Sequence, residues 1–295
     1  MKILLAGATG FLGSNLVPSL LCEGHEVTAI SRSERKGAVE SMGCRFVASN
    51  LADGEPVPPC GDHDVAMFLA LSSNHHGWPD KAHDVIGVNV LGAAKFAEAA
   101  RKAGVRRLLH ASSGSVYWPA DEAIKEDAPL RSDNLYSLSQ KAGEDFVRLY
   151  EHYFDVVVFR VFYLYGPGQS GRLIPNIIQK VADGTPIDLQ PRTADEEETD
   201  GLVVSVTYVE NAVQILNSLM HSSFKGTVNF AGPETISIRQ LAETAGGILG
   251  RQPVFQISNE PRAGNMVADT TLLQSLVSLP SEPFESCLGK AIQHG

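Results

Sequence analysis

The chain has 295 residues, 43% of them hydrophobic, and carries 24 Lys and Arg against 34 Asp and Glu, for a formal net charge of −10. That is enough apolar residue for one large core or a core with a smaller lobe, and the negative field argues against nucleic acid or anionic lipid as a partner. The opening "MKILLAGATG" has too short an apolar run for a signal-peptide core or a membrane span, so a cytoplasmic protein is expected.

The first predicted strand, Ile3 to Ala6, leads into "GATGFLG" and a helix over 11–23. Gly7, Gly10 and Gly13 are spaced as a dinucleotide turn requires. Gly7 permits the tight turn, Gly10 lets the backbone approach a pyrophosphate, and Gly13 lets the helix pack closely. The helix start at Phe11 and Leu12 then presents its N-terminus to the phosphates. The second strand, 26–30, ends at Ser31 and Arg32, where a site specific for NAD would place an acidic residue on the ribose 2′-hydroxyl. A guanidinium there can instead pair with a 2′-phosphate, which predicts NADP, with NAD less favoured.

A helix over 34–41 and strands over 45–48 and 65–70 follow. The loop "SSNHHGWPD" carries His75, His76 and Trp78; His75 is a candidate substrate contact, and adjacent histidines with no third ligand predict no metal. Next come an Ala-rich helix over 81–102, a strand over 107–111, a helix carrying Tyr136, and a strand over 156–161. Buried apolar strands alternating with helices predict an α/β fold with a doubly wound parallel sheet over about 1–165. After "YGPGQSG" the elements shorten into a smaller C-terminal lobe, 166–295, with the acidic stretch "ADEEETDG" as a solvated loop. Part of 201–225 is expected to return to the first domain. Cys22, Cys44, Cys60 and Cys287 are too scattered for a zinc or disulfide framework.

Taken together, "GATGFLG", "HASSGSVY", the Tyr136 to Glu144 helix and "FRVFYLYGPGQ" resemble the extended short-chain dehydrogenases, the NAD(P)-dependent epimerase/dehydratase family that acts mostly on nucleotide sugars. The resemblance implies a Rossmann sheet, a substrate lobe, and a proton-relay set of Ser or Thr, Tyr and Lys. Ser113 matches the serine and Tyr136 the tyrosine. The serine would polarise a carbonyl, and the phenol would pass a proton as hydride moves at the nicotinamide. Arg262 in "PRAGN" matches a diphosphate ligand and Arg172, in the lobe's opening loop, is a further substrate-binding candidate, while Tyr163 stands where the family commonly has Asn. Trp118 replaces a glycine after "SVY" and is either a pocket wall or a packing tryptophan. The pair of helices around Asn89 to Lys102 and Tyr136 implies a homodimer.

The lysine position departs from the pattern. At 100° per residue, Gln140 lies about 40° around the helix from Tyr136 and Lys141 about 140° away. A one-residue bulge would bring Lys141 round, but Ser139 and Glu144 keep the family spacing without one, so Gln140 is read as the substitute. An amide can hold the nicotinamide ribose but cannot lower the phenol's pKa. The expected activity is therefore biased toward carbonyl reduction; the alternative is a catalytically silent NADP-binding regulatory or scaffold protein.

Overall fold

Strand β1 (Lys2–Ala6) shows no hydrophobic alternation, and Ile3, Leu4, Leu5 and Ala6 are all fully buried, as a strand covered on both faces must be. In this computed structural model, which describes residues 1–74, 77–193 and 199–293, the chain continues through α1 (Phe11–Cys22), β2 (Glu26–Ser31), α2 (Lys36–Ser41), β3 (Arg45–Ala48) and β4 (Val65–Phe68). There follow α3 (Ala82–Ile86), α4 (Ala93–Lys102), β5 (Arg107–Ser113), α5 (Leu135–Arg148), β6 (Asp155–Val161) and, later in the chain, β10 (Gly226–Phe230). The sheet order is β10-β6-β5-β4-β1-β2-β3, and every pairing from β6 to β3 is parallel. The α/β doubly wound sheet read from the sequence is thus present. Its strand order reverses between β1 and β4, the point at whose carboxyl end such sheets bind ligands.

The predicted helix over 81–102 is continuous but not uniform. Between α3 and α4, Gly87–Gly92 form a π-helical segment. It packs on α5 at Gly143, where an added Cβ would lie 2.5 Å from the Asn89 carbonyl oxygen, so only a glycine admits that approach. The side chain of Asn89 is buried, accepts from the Ser72 backbone at 3.1 Å and donates to Ser139 on α5 at 3.0 Å. The bulge therefore sits in the partner helix of α5, where it fastens α5 to the loop after β4.

His110 lies in the middle of β5, fully buried, stacked on Phe68 with ring centroids 5.2 Å apart, and neither ring nitrogen has a hydrogen-bond partner. Burial pushes its pKa down to about 4, against an opposing pull from Glu144 and a small additional push from Arg148. An unfolded chain takes up a proton here near pH 6.5, whereas the folded chain resists until about 4. This contribution to stability is full above about 6.5 and is lost as pH falls through that window, at about 1.4 kcal/mol per pH unit. Denaturant unfolding from pH 7 to 4.5 should show His110→Leu losing less stability with acid than the wild type by about 2–3 kcal/mol; parallel curves would refute it.

The chain divides into two compact units. The first holds Met1–Trp118, Pro129–Val161 and Leu216–Val228; the second holds Pro119–Ala128, Phe162–Ile215 and Asn229–Gly295. The second unit contains β7 (Tyr163–Tyr165), α6 (Leu173–Asp183), β8 (Ile187–Leu189), β9 (Val203–Tyr208), most of α7 (Val209–His221), β11 (Glu234–Ser237), α8 (Ile238–Leu249), β12 (Phe255–Ile257), α9 (Thr271–Leu276) and α10 (Phe284–Gln293). The segment that returns to the first unit is 216–228, which overlaps the expected part of 201–225; residues 201–215 stay in the second unit, where β9 pairs with β7 and β11. A short excursion, 119–128, leaves the first unit because Ala120 bridges to Asn265 and Ile124 to Ala268. Among the described residues, no helix is long and apolar enough to cross a membrane. His75, His76 and residues 194–198 of the acidic stretch lie outside the described residues.

Candidate active site

The turn after β1 is built for close approach. Gly7 has φ +91°, and a Cβ on it would lie 2.6 Å from the Leu69 carbonyl carbon in the loop after β4. A Cβ on Gly13 would lie 2.1 Å from the Gly7 carbonyl oxygen, so only glycine lets α1 start this near the strand. Gly10 caps α1 without any side-chain hydrogen bond, leaving the first backbone N–H groups of Phe11 and Leu12 without a side-chain cap. A cradle of this shape suits a dinucleotide pyrophosphate. Ser31 ends β2, and Arg32 beside it forms an ion pair with Glu34 at 3.1 Å, both side chains more than half exposed.

Ser113 is the last residue of β5, 8% exposed, and its hydroxyl accepts from the Ser115 backbone at 3.1 Å. Asn134 caps α5 by accepting from Ser137 N–H at 2.9 Å, which fixes Tyr136 in the helix's first turn. The Ser137 hydroxyl then donates to the Ser115 carbonyl at 2.6 Å. That bond joins the residue after Tyr136 to a residue two beyond Ser113, so the serine and the tyrosine are held by one short linkage. Gln140 is buried one turn further along, 5% exposed, whereas Lys141 points outward and pairs with Asp145 at 2.7 Å. α5 is an uninterrupted α-helix, so Gln140 and not the lysine shares the inner face of Tyr136.

Two turns beyond Tyr136, Glu144 anchors the helix to the sheet. Arg160 of β6 donates from Nε at 2.9 Å and from Nη2 at 2.7 Å to its two carboxylate oxygens, and Ser112 of β5 donates to Oε1 at 2.5 Å. Nη1 of Arg160 reaches the Tyr117 hydroxyl at 2.7 Å, with the guanidinium 4.8 Å above the ring centroid. All four residues are at most 5% exposed. Burial works against the arginine's charge, but the Glu144 hydrogen bonds and charge prevail and raise its pKa. The sequence reading took Glu144 as a pattern match and missed Arg160, Ser112 and Asn89. The signal for Arg160 was an arginine inside the apolar strand "DVVVFRV", since a buried charge demands a partner.

The remaining expected site residues belong to the second unit. Tyr163 opens β7, and burial raises its pKa. Arg172 is the N-cap of α6. Arg262 donates from Nη1 to the Gln190 carbonyl at 2.8 Å and from Nε to Asn265 at 3.3 Å, so part of its guanidinium holds its own lobe together. Trp118, in the first unit, is 48% exposed with Arg131 stacked 4.8 Å over its ring; Arg131 in turn grips Asp133 with two bonds of 2.6 Å. That indole is therefore a surface platform and not a packing residue.

The sequence model of the NAD dependent epimerase/dehydratase family matches residues 3–220. The chain belongs to this family. A dTDP-4-dehydro-6-deoxy-D-allose reductase of Streptomyces bikiniensis is 26% identical, the match covering 97% of this chain and 93% of the relative. A UDP-glucose 4-epimerase of Mycolicibacterium smegmatis is 33% identical over 58% of each chain. Among solved structures, the UDP-glucose 4-epimerase of Thermus thermophilus, in complex with NAD, shares the fold with a TM-score of 0.81 at 23% identity, over 100% of this chain and 98% of that one. Family membership bears out the expectation of an epimerase/dehydratase-type enzyme on a Rossmann sheet.

Proposed function

We propose that the protein is an NAD(P)-dependent oxidoreductase of a nucleotide sugar, acting at a sugar carbonyl or hydroxyl and biased toward reduction. The observation that carries this reading is the Ser115–Ser137 linkage, which holds Ser113 and Tyr136 together on the unit that also bears the glycine cradle. When bound, the dinucleotide supplies or accepts hydride. Ser113 would hydrogen-bond the substrate oxygen, Tyr136 would hold the proton at its phenol oxygen, and the Gln140 amide would orient the nicotinamide ribose. Tyr163, Arg172 and Arg262 are assigned to the sugar nucleotide, the two arginines to its diphosphate, and His75 to the substrate.

For the cofactor we take NAD and set aside the NADP preference expected from Ser31 and Arg32. Several solved relatives are complexes with NAD, and Glu34 offsets part of the Arg32 charge. That exposed ion pair contributes under about 1 kcal/mol, so NADP is the natural competitor. The test is a panel of dTDP- and UDP-4-keto sugars and their alcohols, offered with NADH and NADPH and followed by nicotinamide absorbance and product analysis. Turnover of a 4-keto sugar nucleotide with NADH supports the reading; dinucleotide binding without turnover of any member supports a silent regulatory protein, the reading that Gln140 favours.

We also assign a homodimer built on α5 and the π segment. Leu138 and Phe146 of α5 and Leu149 just beyond it are 46%, 44% and 68% exposed, with Leu91 of the neighbouring segment 40% exposed. Large apolar side chains left exposed on neighbouring segments fit an interface between two copies. Sedimentation should give twice the 31.7 kDa chain mass, and Phe146→Glu with Leu149→Glu should give the single chain mass. A monomeric wild type at micromolar concentration removes the assignment.

A further inference from the structure

Away from the glycine cradle and Ser113, the first unit brings a set of metal-ligand atoms together. Glu23 follows the last residue of α1, His25 immediately precedes β2, and His221 ends α7. One ligand atom from each lies within 4.8 Å of the other two. Nε2 of His25 is 3.7 Å from Oε2 of Glu23, and the two imidazole centroids are 6.0 Å apart. Asn217, one turn before His221 on the same helix, donates from Nδ2 to Glu23 Oε1 at 2.7 Å and to the Ser19 hydroxyl at 2.9 Å.

Two atoms of this cluster lack what buried polar atoms normally have. Nε2 of His25 and Oδ1 of Asn217 are both shielded from solvent and have no hydrogen-bond partner. The Met1 amino group lies 3.2 Å from His25 Nδ1, so Nε2 is the ring nitrogen left for a ligand. Magnesium and calcium prefer all-oxygen sites, whereas two imidazoles and a carboxylate suit zinc and its first-row neighbours.

We propose that Glu23, His25 and His221 form a binding site for a zinc-type divalent cation, with Asn217 Oδ1 or water as the fourth ligand. Zinc ligands at about 2.0–2.1 Å stand about 3.4 Å apart in a tetrahedron, so the exposed Glu23 and His221 side chains must swing inward to close the set. The cation would bind the end of α1 and the start of β2 to the end of α7. His25 lies at the amino end of its strand, opposite the carboxyl ends where ligands sit, which makes the metal a staple of the fold and not a participant in the reaction.

The test uses the full chain stripped with chelator. Titration with zinc chloride at pH 7.5 should show one equivalent bound with Kd of about 10 μM or tighter, a rise in Tm on saturation, and a visible d–d band when cobalt(II) is substituted. His221→Ala and Glu23→Gln should each weaken binding at least about tenfold, remove the Tm rise and leave turnover unchanged. Absence of one-to-one saturation below about 100 μM overturns the proposal. So does tight binding that survives both substitutions, which would assign the metal to other histidines.

Discussion

Replacing Glu144 with leucine should lower the stability of the protein by about 3–5 kcal/mol, because it leaves the Arg160 guanidinium buried without its counter-charge. The geometry predicts the upper part of that range: the pair is bidentate, Arg160 is 4% and Glu144 2% exposed, and water cannot take over the lost bonds. The double variant Glu144→Leu with Arg160→Met should recover much of the loss, since removing both charges removes the desolvation cost as well. It should not recover all of it. The Ser112 hydroxyl loses its acceptor and the Tyr117 hydroxyl its donor, at about 1–3 kcal/mol between them. Chemical denaturation of the four proteins of this cycle measures each quantity. Single substitutions costing under about 1 kcal/mol would show that the pair is not the brace inferred from its burial.

The same cycle bears on activity, because Glu144 and Tyr136 ride on one helix. Losing the anchor lets α5 shift against β5 and β6, and a displacement of about 1 Å at the reacting group is enough to cost about 100-fold in rate. A variant that stays folded but turns over slowly is therefore expected from the single substitution. The Asn89 to Ser139 bond and the Ser137 to Ser115 bond still hold the first turns, so substrate and cofactor affinity should change less than kcat.

These anchors mark where sequence reasoning stops. The sheet was legible because a parallel strand buried on both faces leaves an apolar run, as at β1, which covers the predicted residues 3–6. The glycine turn was legible because each glycine answers a separate steric demand, and Gly7 and Gly13 show Cβ clashes of 2.6 Å and 2.1 Å. The π segment was not legible: an i→i+5 turn has no residue signature, and the predicted helix over 81–102 reads straight through it. Arg160 and Glu144 are 16 residues apart on different elements, so their pairing exists only once β6 lies beside β5 and α5 covers both. In the second unit, strands of three to six residues leave too little periodicity to register their pairing, so the sequence places the returning part within 201–225 without giving its bounds, 216–228.

The placement of Gln140 on α5 follows the 100° spacing, and the role proposed for it carries the largest expected effect on catalysis. Lys141 is tied to Asp145 on the outer face of α5 and Gln140 is buried on the inner one, so no cation from this helix stands beside the tyrosine as the family lysine would. Tyr136→Phe should reduce turnover by about 100- to 10,000-fold, the range of a lost general acid or base, while leaving dinucleotide affinity nearly unchanged. Because Gln140 would bring no positive charge to the phenol, oxidation of an alcohol substrate should be favoured toward alkaline pH, and reduction should hold at neutral pH. Gln140→Lys places a buried charge where the amide was, so some loss of stability accompanies it. The folded fraction should nevertheless show the oxidative pH profile displaced toward neutrality by one unit or more, each unit being about 1.4 kcal/mol of preference for the phenolate. An unchanged profile in Gln140→Lys, together with full activity in Tyr136→Phe, would remove Tyr136 from the mechanism and leave Ser113 and a group outside α5 to handle the proton.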